Sequence, residues 1–196
     1  MKPQFVFAAS RYVGVAILFA ACGAWQARFF PYGGEALSVR TLQIPFALLC
    51  AVLFLRTVKA ILAVPLIVVV WVLAWKTAVW LGMELGSEDH LTPMCVGGFV
   101  GGLGLALCAA ICHRRSLSLF SLLGAGFTGC VAALPFGLWL RSYYLNLHGA
   151  ADPLQPLRLQ YAFAIWQAAV GTYLYAVCTQ AKKKAQQEKS QEGHPL

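Results

Sequence analysis

The chain has 196 residues, of which 60% are hydrophobic and 11% are charged, and its formal net charge is +8 at pH 7. Soluble domains carry about 25% charged residues, so this composition excludes a water-soluble fold and indicates a lipid bilayer as the solvent. The basic residues lie between apolar runs and in the C-terminal tail. That is the distribution expected from membrane topology, so we expect no nucleic-acid partner.

Six apolar runs follow one another along the chain, and a helix that crosses a bilayer needs about 20 apolar residues. The runs predict an all-α fold, a polytopic transmembrane helix bundle of about six spans that occupies residues 1–181. The predicted spans are about 10–30, 41–56, 60–83, 91–112, 116–140 and 159–181.

The run at 41–56 is the shortest of the six, and Pro45 lies near its start. Proline is acceptable in the first turn of a helix, and local thinning of the bilayer accommodates a short span. The alternative is a re-entrant segment, which would leave five spans.

The charge pattern predicts the orientation, because cytoplasmic loops are enriched in Lys and Arg. With a cytoplasmic N-terminus and six crossings, most basic residues fall on the inner side. We therefore predict a multi-pass protein of the cell inner membrane with both termini in the cytoplasm. Residues 182–196 are interpreted as a basic, disordered tail. The basic residues on the inner side are then Lys2, Arg56, Lys59, Arg114, Arg115, Lys182, Lys183, Lys184 and Lys189, and those outside are Arg28, Arg40, Arg141 and Arg158.

The fourth and fifth runs carry small residues at helical spacing, which lets helix backbones approach closely in a membrane. Two such faces on the fourth run suggest two uses. One is packing between helices of the same chain, and the other is an oligomer interface, so we expect a homo-oligomer. The glycines assigned to this role are Gly97, Gly98, Gly101, Gly102, Gly126 and Gly137.

Polar residues inside apolar runs are the candidates for a cavity or pore lining, since such groups are unfavourable in hydrocarbon. They are Lys76 in the third run and Gln160, Gln167 and Tyr175 in the sixth. Two structural alternatives stay open. Lys76 can extend its ammonium to the interface, and Gln167 can hydrogen-bond to another helix.

The sequence contains no nucleophile motif, phosphate loop or paired carboxylates, so we expect neither an enzyme nor a cofactor. The seven cysteines contain no Cys-x-x-Cys pair, and we interpret them as packing residues rather than as disulfides or metal ligands.

Two functional hypotheses follow. The first is a channel or transport protein that forms a pocket or path for an ion or small solute. The alternative is a membrane-embedded sensor, effector or anchor subunit that acts with a cytosolic protein. The basic residues that would contact this protein, or anionic membrane lipid, are Arg114, Arg115, Lys182, Lys183 and Lys184.

Overall fold

A computed structural model describes residues 3–27, 44–55, 60–85, 89–113, 117–147 and 154–192. Nearly all of these residues are helical and none of them forms a strand, which confirms the predicted all-α class. The helices are α1 (Pro3–Ala27), α2 (Ile44–Cys50, continued by a π-helical segment, Ala51–Leu55), α3 (Ala60–Leu85), α4 (Leu91–His113), α5 (Leu119–Ala132), α6 (Leu134–Leu147) and α7 (Gln155–Glu192).

Four helical segments are long and apolar enough to cross a membrane. Large apolar side chains point outward from the bundle, and Phe120 is 88% exposed. Apolar surface of this kind is unfavourable in water and is typical of a face that contacts lipid. If α5 and α6 are taken as one bent helix, the described residues form six helices, but six complete spans remain a prediction. The four segments are Ala63–Gly82, Leu91–Cys112, Leu119–Ser142 and Leu157–Ala181.

Helix α2 is shorter than a membrane is thick. Its 7 α-helical residues and 5 π-helical residues rise by less than about 20 Å, against a hydrocarbon core of about 30 Å. Phe46, Ala47 and Cys50 are nevertheless buried among the other helices. The remainder of the predicted run, residues 41–43 and Arg56, lies outside the described residues.

The first and last helices run antiparallel and in close contact. A Cβ atom added to Gly23 of α1 would meet the Phe163 backbone of α7, and the ring of Tyr12 lies 5.7 Å from that of Tyr175. Residue numbers rise along α1 as they fall along α7. The start of α1 and the polar end of α7 therefore lie at the same end of the bundle.

A break at Ala133 divides the predicted span 116–140 into α5 and α6. Pro135 has no backbone N–H, so it cannot bond to Val131 as a continuous helix would require. Upstream, the Ser118 side chain caps α5 by accepting the Ser121 N–H at 3.2 Å. This cap explains why the helix begins at Leu119.

Residues 182–196 are predicted to be disordered, but in the structure α7 continues through Glu192. Lys, Gln, Glu and Ala are strong helix formers. Extending an existing helix also requires no new nucleus. Both effects favour a helical tail, although its composition is polar. Residues 193–196 lie outside the described part of the chain.

Candidate functional site

Aromatic side chains from several helices meet in the core. The ring of Trp71 on α3 lies 5.1 Å from Trp166 and 5.9 Å from Phe163, both on α7. Phe46 of α2 contacts Trp166 and also Phe19 of α1. Tilted and edge-on contacts of this kind add to the gain from burial, so the short helix α2 is held by aromatic packing.

Two small cavities lie in this core. The larger has a volume of about 30 Å³ and the smaller about 10 Å³, which is space for about one or two water molecules in the larger. In this conformation neither cavity accommodates a larger solute. The larger is lined by Trp71, Ala74, Trp75, Ala78, Met94, Gly97, Gly98, Ala133, Phe136 and Trp166. The smaller is lined by Cys50, Ala63, Ile67, Leu105, Cys108, Ala109 and Leu174.

A buried amide pair joins α1 to α7. Gln26 and Gln167 both have 0% exposure, and Gln167 Nε2 donates a hydrogen bond to Gln26 Oε1. The Nε2 group of Gln26 and the Oε1 atom of Gln167 have no hydrogen-bond partner. Unpaired buried polar groups are unfavourable, so the two unpartnered atoms make this pair a candidate functional feature of the described core.

Gln167 is one of the lining residues predicted from the sequence, whereas Gln26 is not. Gln26 lies two residues before Arg28, at the end of the first apolar run, where a polar residue is typical of the membrane interface. The only sequence feature that indicates a partner for Gln167 is this second amide at the end of an apolar run. The two amides come into contact because α1 and α7 pack against each other in antiparallel orientation.

The four predicted lining residues do not converge on one cavity. Lys76 is exposed on α3, whereas Gln160 and Tyr175 are half-buried on α7. Gln160 and Tyr175 are also about 22 Å apart along the helix axis, at 1.5 Å per residue. None of the four lines either cavity described above, so within the described residues they do not form a continuous polar path.

The six predicted packing glycines lie between helices of the same chain. A Cβ atom added to Gly98 would meet the Gly129 carbonyl of α5, and one added to Gly102 would meet that of Ala125. These contacts bring α4 and α5 together along their backbones. Because the glycines already pack inside one chain, they do not by themselves support a second copy. The remaining contacts of an added Cβ are Gly97 with Ala78, Gly101 with Trp166, Gly126 with Phe99 and Gly137 with Leu91.

The predicted contact residues for a partner or lipid are only partly described. Lys183 is exposed on α7. Arg114, Arg115 and the side chains of Lys182 and Lys184 lie outside the described part of the structure. Across the described ranges, no group of three or more His, Cys, Asp or Glu residues is placed to hold a metal ion.

No protein-family model, curated protein or solved structure matches this chain. The classification therefore depends on the helices themselves. Their length, apolar composition and outward apolar surface are those of a helical membrane protein.

Proposed function

We propose that this chain is a membrane-embedded subunit that acts through a protein bound to the end of α7. The observation that carries the proposal is the length of α7, which is a single helix of 38 residues. Such a helix extends about 57 Å, nearly twice the hydrocarbon thickness of about 30 Å. Part of α7 therefore projects beyond the bilayer.

The exposure of α7 changes along its length in the way this proposal requires. Between Leu159 and Cys178, side chains at helical spacing are buried in the core of the bundle. Beyond Cys178, the described side chains of Gln180, Lys183 and Gln187 are exposed. One part of α7 therefore packs within the bundle, and the other presents a polar surface to whatever lies outside it.

The chemistry of this projecting segment favours an acidic partner. It carries Lys182, Lys183, Lys184 and Lys189 against Glu188 and Glu192, so its charge is positive. An acidic protein surface would be attracted to it, and so would anionic lipid headgroups. The basic pattern of the whole chain predicts that this end is cytoplasmic, where a soluble partner would meet it.

The test is to purify the chain from its own host in a mild detergent and to measure its stoichiometry by native mass spectrometry. We expect a partner at a fixed ratio. A triple change of Lys182, Lys183 and Lys184 to Glu should release it, and the matched triple change to Arg should retain it. Absence of a stoichiometric partner, or a partner that survives the Glu changes, would contradict the proposal.

A second candidate function is a path for an ion or small solute, and the Gln26–Gln167 pair favours it. Polar groups within a membrane protein commonly mark a ligand or ion pathway. Here a donor and an acceptor are unpartnered in the core. The two cavities described above are too small for a path, so a path requires an open conformation or several copies, as in the predicted homo-oligomer.

Liposome flux distinguishes this candidate from the first. The chain is reconstituted alone, its insertion is verified by protease protection, and permeation of ions and small neutral solutes is measured. We expect flux that Gln167→Leu changes and that the exposed matched control Gln180→Leu does not. A correctly inserted chain that passes none of these solutes would remove the candidate and leave the first proposal intact.

A further inference from the structure

Two cysteine side chains meet between α4 and α5. Cys95 lies on α4 and Cys130 on α5, each about one helical turn from the contact between Phe99 and Gly126, which places the two thiols close together. Both are half-buried thiols with no disulfide. They are distant in sequence and do not form a Cys-x-x-Cys motif, so the sequence alone does not pair them.

The backbone contact between the two helices explains why these thiols approach each other. Gly98 of α4 faces Gly129 of α5, and an added Cβ on either would meet the carbonyl oxygen of the other. Cys95 lies one helical turn before Gly98, and Cys130 directly follows Gly129. A disulfide requires Cβ atoms about 3.5–4.5 Å apart, which is a separation that helices in backbone contact can provide.

The pair also lies close to the polar end of α4. Asp89 Oδ1 accepts hydrogen bonds from the N–H groups of Leu91 at 3.0 Å and Thr92 at 2.9 Å, where α4 begins. The bond from Thr92 is the main reason why the pKa of the Asp89 carboxyl is lowered, so this end of the helix carries a charged group. Cys95 is about 6 Å further along the helix axis than Leu91, and its side chain is partly exposed.

We propose that Cys95 and Cys130 form a redox-active dithiol that small-molecule disulfides oxidise to an intramolecular disulfide between α4 and α5. One thiolate attacks the incoming disulfide and releases the first small thiol. The second thiolate then attacks the mixed disulfide and releases the other. The two cysteines lose two electrons and two protons, and the reagent becomes two thiols.

The predicted topology puts this end of α4 on the outer side of the membrane, which is the compartment where disulfides persist. The bond would join two helices that are already in backbone contact at Gly98 and Gly129. The proposal is independent of the function proposed above, since it rests on the α4–α5 contact alone.

The test treats the purified full-length chain in lipid nanodiscs with oxidised glutathione. Remaining thiols are alkylated after denaturation, and peptides are mapped by mass spectrometry. Of the seven cysteines, we expect five to be alkylated and a cross-linked peptide that contains Cys95 and Cys130. Dithiothreitol should restore all seven. The matched control Cys108→Ser, also on α4, should retain the cross-link, whereas Cys95→Ser and Cys130→Ser should each abolish it.

Several results would overturn the proposal. These are alkylation of all seven cysteines after oxidation, glutathione adducts without a cross-link, a cross-link between other cysteines, and a disulfide between two chains. The wild-type peptide map decides among them by itself, so the conclusion does not depend on whether a serine variant folds.

Discussion

Gln167 of α7 donates a hydrogen bond to Gln26 of α1, and both side chains are fully buried. The pair joins residues that are 141 positions apart in sequence, and so it connects the first helix of the bundle to the last. A hydrogen bond of this kind restricts sliding between the two helices, because any shift leaves both amides without a partner in a low-dielectric core.

The first prediction concerns this pair. Gln167→Leu or Gln26→Leu alone should lower the free energy of unfolding by about 1–3 kcal/mol, because each leaves the other buried amide without its hydrogen-bond partner. The double change to Leu should lie closer to the wild type than the sum of the single changes. Unfolding in mixed micelles with a denaturing detergent measures all four forms. Effects that simply add would show that the two amides act independently.

The second prediction concerns the α4–α5 contact. Gly102→Ala should destabilise the bundle by about 1–3 kcal/mol, because overpacking at a close contact displaces a backbone, here the carbonyl of Ala125. Gly14→Ala provides the matched control, since nothing lies within 4 Å of its added Cβ. There the higher helix propensity of Ala should be neutral or stabilising by up to about 1 kcal/mol. The same unfolding assay compares the two, and equal effects would contradict the described packing.

The third prediction uses two tryptophans of α3. Trp71 is 9% exposed and packs against Trp166, whereas Trp80 is 58% exposed. Trp71→Ala should lower stability by about 3–5 kcal/mol, as expected for an aromatic side chain removed from a core. Trp80→Ala should change it by no more than about 0.5 kcal/mol. Thermal unfolding monitored by circular dichroism separates the two cases. A larger loss of stability in Trp80→Ala would mean that Trp80 is packed against protein, in contradiction to its described exposure.

The fourth prediction concerns the pH dependence contributed by Asp89. Hydrogen bonds, above all the one from the Thr92 N–H, lower its pKa below the ordinary value of 3.8. A carboxyl whose pKa falls on folding adds stability above the unfolded-state pKa and loses it as the pH falls through the lowered folded-state pKa. Asp89→Asn should therefore lower the melting temperature at pH 7. That difference should shrink below pH 3.8, and a difference that stayed constant with pH would contradict the role.

The apolar runs predicted the helices well, because in a bilayer the backbone must satisfy its own hydrogen bonds. The predicted run 60–83 corresponds to Ala60–Leu85, and 91–112 corresponds to Leu91–His113. The break at Ala133 was missed, although Pro135 is visible in the sequence. An apolar run shows only that a segment is suited to lipid, and it does not show whether that segment bends.

The candidate site was less predictable, because it depends on which helices become neighbours. Gln167 stood out as a polar residue in an apolar run, but its partner Gln26 became evident only once α1 was placed against α7. The contact between Cys95 and Cys130 likewise depends on the approach of α4 to α5. For Lys76 the sequence left two roles open, and its exposed side chain lies on the outer surface of α3 rather than at either cavity.

The unbroken course of α7 also has a mechanical consequence. A helix of about 57 Å that tilted about the aromatic contact at Trp166 would act as a lever. A small tilt of its buried segment swings the far end near Glu192 through a wider arc, so sub-ångström repacking inside the bundle would be enlarged at the tip.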